Sequence, residues 1–412
     1  MMANTMKRTL AIILAGGVGT RLAPLTHHRA KPAVHFGGKY RIIDFTLSNC
    51  LHSDIRHIFV LTQYRSHSML KHLRDGWGVL TPELGEYITA IPAQMKDGNH
   101  WYQGTADAVY QNIDLLRWSN CKYIVVLSGD HIYRMDYASM LCHHIEHDAD
   151  ATIACMTIPR NQASEFGVIE VDATMRITGF TEKPEQPSAL SDAPDQSLIS
   201  MGIYIFNKKK LIQMLEEDRQ QPHSRHDFGH DIIPAWIEKG KVNAYPFGGI
   251  SGRVSSDKYW RDVGTLDSFF DANMDLLKAV PPLNLYQEDW PIRTYNPQQP
   301  PCRTGPSPSG KCERLNNVII NGGSSVIGAS VKHSILGRQV YIEPEADIED
   351  SIFFGQVSIG KGAILRRCIV DKHVHIPEGE TIGVDREKDS RHFKVTDSGI
   401  TVVPVGYRFK RK

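Results

Sequence analysis

The sequence predicts an α/β protein of two unlike parts: a mostly parallel mixed sheet, then a left-handed parallel β-helix of hexapeptide repeats. Three observations predict it. From Arg8 to about Lys278, short apolar runs alternate with amphipathic stretches. A proline-dense segment follows over 279–310. Beyond it, branched apolar residues recur every seventeen positions. These changes of texture divide the chain into a first domain (1–278), a linker (279–310) and a repeat domain (311–412).

The elements of the first domain follow from their patterns. Leu10-Ala-Ile-Ile-Leu-Ala15, His57-Ile-Phe-Val-Leu-Thr62 and Lys122-Tyr-Ile-Val-Val-Leu-Ser128 are short apolar runs and read as buried strands. Between them, Ser66 to Arg74 and Thr105 to Trp118 carry helical spacing. Strands alternating with helices make βαβ units, which call for a parallel sheet. Gly167 to Val171 and Ile199 to Phe206 are strands with less helix between them, so the sheet becomes mixed there.

The linker holds eight of the 22 prolines, a density that forbids a continuous helix or a central strand. Tyr286, Trp290 and Tyr295 lay it along the surface rather than leaving it free. In the repeat, Val340, Ile342, Ala346, Ile348 and Ile352 return as Val357, Ile359, Ala363, Leu365 and Ile369. They return again as Val374, Ile376 and Ile382, with Glu380 at the alanine position. Val340, Ala346 and Ile352 stand six apart and the next apolar position follows after five, the spacing of hexapeptide coils. Coils of about 17 to 18 residues give roughly four to six turns.

Composition narrows the function. Lys and Arg total 47 against 46 Asp and Glu, and a net charge of +1 excludes a nucleic-acid partner. No run approaches the roughly 20 apolar residues that span a bilayer, and Leu10 to Ala15 is too short for a secretion signal. The seven cysteines are odd in number and contain no Cys-x-x-Cys pair. That excludes a zinc cluster or disulfide framework and fits reduced thiols in the cytoplasm.

Directly after the first strand comes Gly16-Gly17-Val18-Gly19-Thr20-Arg21-Leu22. Glycines let a backbone approach phosphate and aim its N–H groups inward. No Gly-Lys-Ser/Thr follows, so this is not a P-loop, and Leu22 breaks the dinucleotide pattern. With Arg21 and Lys31 behind it, the loop suits a nucleotide triphosphate. Asp130 follows another strand, at the edge where open α/β sheets bind ligands. Asp262, in Tyr259-Trp-Arg-Asp-Val-Gly264, is a second acid; two converging carboxylates hold Mg²⁺ together with phosphates. Glu182-Lys183 ends a further strand.

Taken together, these motifs resemble the bacterial glucose-1-phosphate adenylyltransferases over nearly the whole chain. The glycine loop is shared by many sugar nucleotidyltransferases. Arg29-Ala-Lys-Pro-Ala-Val-His-Phe-Gly-Gly-Lys39 is far narrower, and Arg41-Ile-Ile-Asp-Phe45, Trp101-Tyr102, Phe180-Thr-Glu-Lys-Pro184, Asp227-Phe-Gly229 and the Asp262 motif accompany it. The resemblance implies a Rossmann-like nucleotidyltransferase domain that converts ATP and glucose 1-phosphate into ADP-glucose and pyrophosphate for glycogen synthesis. It implies that Asp130 is the catalytic acid and binds Mg²⁺ with Asp262. Arg21 and Lys31 then serve the ATP phosphates beside Gly16, Gly17, Gly19 and Thr20. Tyr102, Gly167, Glu182, Lys183 and Ser200 would take glucose 1-phosphate, with Lys183 on its phosphate.

The resemblance further implies a cytoplasmic homotetramer regulated by small anionic metabolites, with the β-helix supporting assembly and effector binding. Arg29, His35 and Arg41 match positions tied to the effector, and Arg367 sits on the β-helix. His28 stands where some relatives carry lysine. Rival readings are an acyltransferase, a catalytically silent regulatory subunit, and an enzyme using another nucleotide. For the first, His373 flanks the inward Val374 and faces out; for the second, the intact Asp130, Arg21, Lys31 and Lys183 count against it.

Overall fold

The computed structural model describes residues 5–96, 100–248 and 258–410. Its first half is built on a nine-stranded sheet of β1 (Thr9–Ala15), β2 (His57–Thr62), β3 (Tyr87–Pro92), β4 (Tyr123–Ser128), β5 (Ala151–Pro159), β6 (Gly167–Val171), β7 (Ile177–Glu182), β8 (Gln196–Asn207) and β9 (Val242–Pro246). The order β7-β6-β8-β4-β1-β2-β3 forms the main path, and β5 joins β8 to β9. Pairing is parallel from β4 through β1 and β2 to β3, whereas β8 runs antiparallel to both β4 and β5.

Continuous apolar strands arise because both faces of this sheet are covered. Ala11, Ile13 and Ala15 of β1 enter one core, while Leu10 and Ile12 enter the other. Val125 and Leu127 of β4 alternate with Ile124 and Val126 in the same way. The helical stretch expected over 105–118 is two helices, Thr105–Tyr110 and Ile113–Trp118. Asn112 accounts for the break: its side chain donates to the carbonyl of Ala108, competing with the helical ladder.

The second half is the β-helix, and its register is the seventeen-residue repeat itself. Val340 pairs with Val357 and Val357 with Val374, while Ile348 pairs with Leu365 and Leu365 with Ile382. These side chains form one core along the axis. Corners recur at the same period: His333, Asp350 and Arg367 all take positive φ, as do Gln339, Gln356 and His373. His373 and His375 are exposed.

The proline-rich segment is strapped to the first domain. Trp290 is fully buried and donates its indole N–H to Asn49 Oδ1 at 3.0 Å, whereas Tyr286 is exposed. The Arg293 amide donates to Ser48 Oγ. Within the stretch read as linker, Arg303–Gly305 forms a strand paired in parallel with Ser325–Ile327. A third core spans both halves, joining Phe36, Phe45 and Phe269 to Ile335, Ile352 and Phe354. Among the described residues, no helix is long and apolar enough to cross a membrane.

Candidate active site

A cavity of about 480 Å³ opens at the carboxyl ends of β1, β2 and β4. Gly16, Gly17, Gly19, Thr20, Arg21 and Lys31 line one wall. Gly19 has φ 65°, and a Cβ there would lie 3.0 Å from Lys31 Cβ and 3.1 Å from Thr26 Cγ2, so a side chain at this position would be strained and crowded. The Lys31 stem is thereby packed beneath the glycine loop. Gln63, directly after β2, and Tyr102 and Gly104 line the opposite wall.

The two acids inferred from separate motifs converge. Asp262 lies on strand Trp260–Asp262, which pairs antiparallel with His131–Tyr133 and sets Asp262 beside His131. Lys31 Nζ is 2.6 Å from Asp130 Oδ2 and 3.0 Å from Asp262 Oδ1. Burial works against the Lys31 charge, yet attraction to both carboxylates outweighs it and its pKa is raised. Burial likewise opposes ionisation of Asp130, but Lys31 and His131 hold its pKa well below the usual carboxylate range. Asp130 Oδ1 also accepts from Ser128 Oγ.

Asp130, His131 and Asp262 offer ligand atoms within 4.8 Å of one another. The pair of carboxylates fits a hard divalent ion that keeps waters and shares phosphate oxygens, whereas the imidazole is not a ligand such an ion prefers. The Arg21 guanidinium lines the cavity and pairs with Glu165 at 3.1 Å, both side chains largely exposed.

Strand register gathers several of the residues expected to take the sugar phosphate. Glu182 of β7 pairs with Gly167 of β6, and Val168 pairs with Ile199 of β8, which brings Ser200 to the same end. A Cβ on Gly167 would meet Phe180 Cζ at 2.4 Å and Glu182 Oε2 at 2.8 Å. Burial raises the Glu182 pKa, and Asp227 adds to the rise. Lys183, at φ 48°, places Nζ 3.6 Å from Glu182 Oε1 and remains half-exposed. The Tyr102 hydroxyl accepts from Asn112 Nδ2 at 2.9 Å.

Asp227 joins these residues to the cavity it lines, accepting from Thr105 Oγ1 at 2.8 Å. In the sequence Asp227 stands in the motif Asp227-Phe-Gly229, which carries no signal for its role. Gln63 and His131 were also missed. Both directly follow a strand end or a named acid, and that position was the available signal.

A second cavity of about 590 Å³ lies between the halves, lined by His35, Arg41, His72, Arg338, Phe354 and residues 294–301. Arg29 is buried beside it, bidentate to Asp371 of the β-helix at 2.9 and 3.0 Å. Burial, Lys372 and the guanidiniums of Arg41, Arg29 and Arg338 push the His35 pKa well down. Lys372 falls to about 7 through burial and the same arginines. Arg29, His35 and Arg41 thus share one cluster. Arg367 does not line this cavity; it lies over the Phe270 ring and bonds the Ser398 carbonyl. Arg338, Asp371 and Lys372 carried no sequence signal, since each is one charge among many on the repeat. His28 is exposed.

Comparisons with known proteins agree with this architecture. The nucleotidyl transferase family model matches residues 10–279, and a GlmU-like C-terminal hexapeptide model matches 300–403. A protein of Vibrio cholerae named glucose-1-phosphate adenylyltransferase 2 is 56% identical, over 98% of this chain and 99% of its own. Its namesake in Vibrio parahaemolyticus is 56% identical over 98% of this chain and 100% of its own. Glucose-1-phosphate adenylyltransferase of Paraburkholderia phymatum is 48% identical over 96% of this chain and 94% of its own. With such identity carried across both halves, the chain belongs to the glucose-1-phosphate adenylyltransferase family.

Proposed function

We propose that this protein transfers the adenylyl group of ATP to glucose 1-phosphate, giving ADP-glucose and pyrophosphate in the cytoplasm. The observation that carries the reading is the convergence of Lys31, Asp130 and Asp262 beneath the glycine loop. The sugar phosphate is already an oxyanion, so no protein nucleophile or general base is required. What the reaction needs is in-line placement at the α-phosphorus and neutralisation of repelling charge.

The loop at Gly16, Gly17, Gly19 and Thr20 would cradle the nucleotide phosphates with backbone N–H groups, and Arg21 and Lys31 would balance the departing pyrophosphate. Lys183, beside Glu182, would hold the sugar phosphate, with Tyr102, Gly167 and Ser200 framing the hexose. Asp130 and Asp262 would hold Mg²⁺, which supplies charge stabilisation at the phosphate oxygens. The cluster of Arg29, His35, Arg41, Arg338 and Lys372 supports binding of small anionic effectors between the halves. The β-helix would serve assembly into a homotetramer.

The test is pyrophosphate release from the purified protein with glucose 1-phosphate, Mg²⁺ and, separately, ATP, UTP, dTTP and GTP. Release with ATP alone is expected. Release with another nucleotide in preference to ATP would overturn the adenylyl assignment.

A further inference from the structure

The Lys31 ammonium lies on the two carboxylate oxygens that face each other, Asp130 Oδ2 and Asp262 Oδ1. Asp130 Oδ1 is already engaged by Ser128 Oγ. A small divalent ion binds oxygen at about 2.0–2.1 Å, so an ion bridging the facing oxygens and an ammonium bridging them exclude each other. We infer that Lys31 is an internal counter-cation of the metal-binding carboxylates, exchanged only for a divalent ion that arrives on nucleotide phosphates.

Charge explains why the nucleotide is needed. Lys31 and the two carboxylates together carry a net −1, with the Lys31 side chain 11% exposed. A bare divalent ion that entered alone would leave the ammonium buried beside a second cation, with no anion to receive it. An ion carried on a triphosphate brings that anion along. The carboxylates would then hold the ion while the Lys31 ammonium turns to the phosphates, so no charge is stranded.

The lysine is built for a short swing. Its stem is fixed under Gly19, while the side chain lines the same cavity as the glycine loop. Arg21, which lines the same cavity, repeats the arrangement in milder form by pairing with the exposed Glu165. The inference rests on Asp130 and Asp262 being metal ligands, and it adds an order to binding: metal and nucleotide enter together.

The experiment uses the full-length protein without glucose 1-phosphate. Bare Mn²⁺ binding is followed by electron paramagnetic resonance, and ATP binding by calorimetry with and without Mn²⁺. The wild type should bind bare Mn²⁺ weakly and gain at least about tenfold in ATP affinity when Mn²⁺ is added, a coupling of about 1.4 kcal/mol or more. Lys31→Met should bind bare Mn²⁺ about tenfold tighter and metal-free ATP weaker. Opposite signs for the two ligands are not produced by mere loss of structure. Lys31→Arg keeps the charge and should bind bare Mn²⁺ as weakly as the wild type; Lys31→Gln serves where the Met variant misfolds.

Unchanged or weaker bare Mn²⁺ binding in both neutral variants would overturn the exchange, while the metal reading stands on its own test. That test is Asp130→Asn: if it leaves the Mn²⁺ dependence of ATP binding intact, the metal reading falls and takes the inference with it.

Discussion

The buried pair between Arg29 and Asp371 ties the two halves of the molecule, and breaking it should be costly in a defined way. The side chains are 8% and 1% exposed and meet through two hydrogen bonds. Around them stand Arg41, Arg338 and Lys372, whose charges Asp371 partly offsets. Asp371→Asn keeps the shape but leaves Arg29 buried without its counter-ion among these cations. Removing one member of such a pair costs about 3–5 kcal/mol, whereas replacing both by apolar residues is near neutral. In a double-mutant cycle with Arg29→Met and Asp371→Leu, read from denaturant midpoints, each single change should cost about 3–5 kcal/mol and the double change little, a coupling of about 6–10 kcal/mol in magnitude. Single losses under about 1 kcal/mol would mean the pair behaves as a solvated surface bridge. The reasoning would then be refuted, and Arg29 would be free to meet an anion.

Three further outcomes are expected. Lys183→Ala removes a charge-assisted contact of about 1.5–3 kcal/mol, so the apparent affinity for glucose 1-phosphate should fall about 10- to 150-fold. Steady-state kinetics should show the ATP constant nearly unmoved; equal losses for both substrates would sink the assignment. Asp130→Ala should collapse turnover while ATP binding stays measurable by calorimetry, and near-normal turnover would exclude its role. Lys372, pushed down to about 7 by burial and its arginine neighbours, is charged below that pH and neutral above it. Sulfate, which does not titrate near neutrality, should therefore bind the cation cluster of Arg41, Arg338 and Lys372 more weakly as pH rises through about 7. Lys372→Arg should flatten that profile. The sign for stability is opposite. An unfolded lysine keeps its proton to about 10.4, so this group makes folding more favourable as pH rises between its two values.

What was legible in the sequence depended on how far apart cause and effect lie along the chain. The β-helix was legible because its register equals its sequence period: each inward residue pairs with the one seventeen places on. The parallel strands were legible because burial on both faces leaves a continuous apolar run, as in Leu10 to Ala15. The break at Asn112 was not, since apolar spacing continues across it and a single side-chain bond decides it. The convergence of Asp130 with Asp262 needed a ribbon between Tyr133 and Trp260 that no local pattern announces.

The proline-rich segment shows how composition can mark a path without marking an energetic boundary. Its prolines end one style of chain and begin another, yet Trp290 is buried against Asn49 and Arg303–Gly305 already belongs to the β-helix sheet. The halves share a core that includes Phe36, Phe269 and Phe354, with ring centroids 6.3 Å apart for the first pair and 6.0 Å for the second. His35 faces Phe354 across that seam at 5.6 Å, and Lys31 follows the interdomain Arg29 by two residues. A single short segment, Arg29 to Phe36, therefore contributes to the cation cluster, the carboxylate site and the shared core at once. Few substitutions in that segment would satisfy all three demands at once.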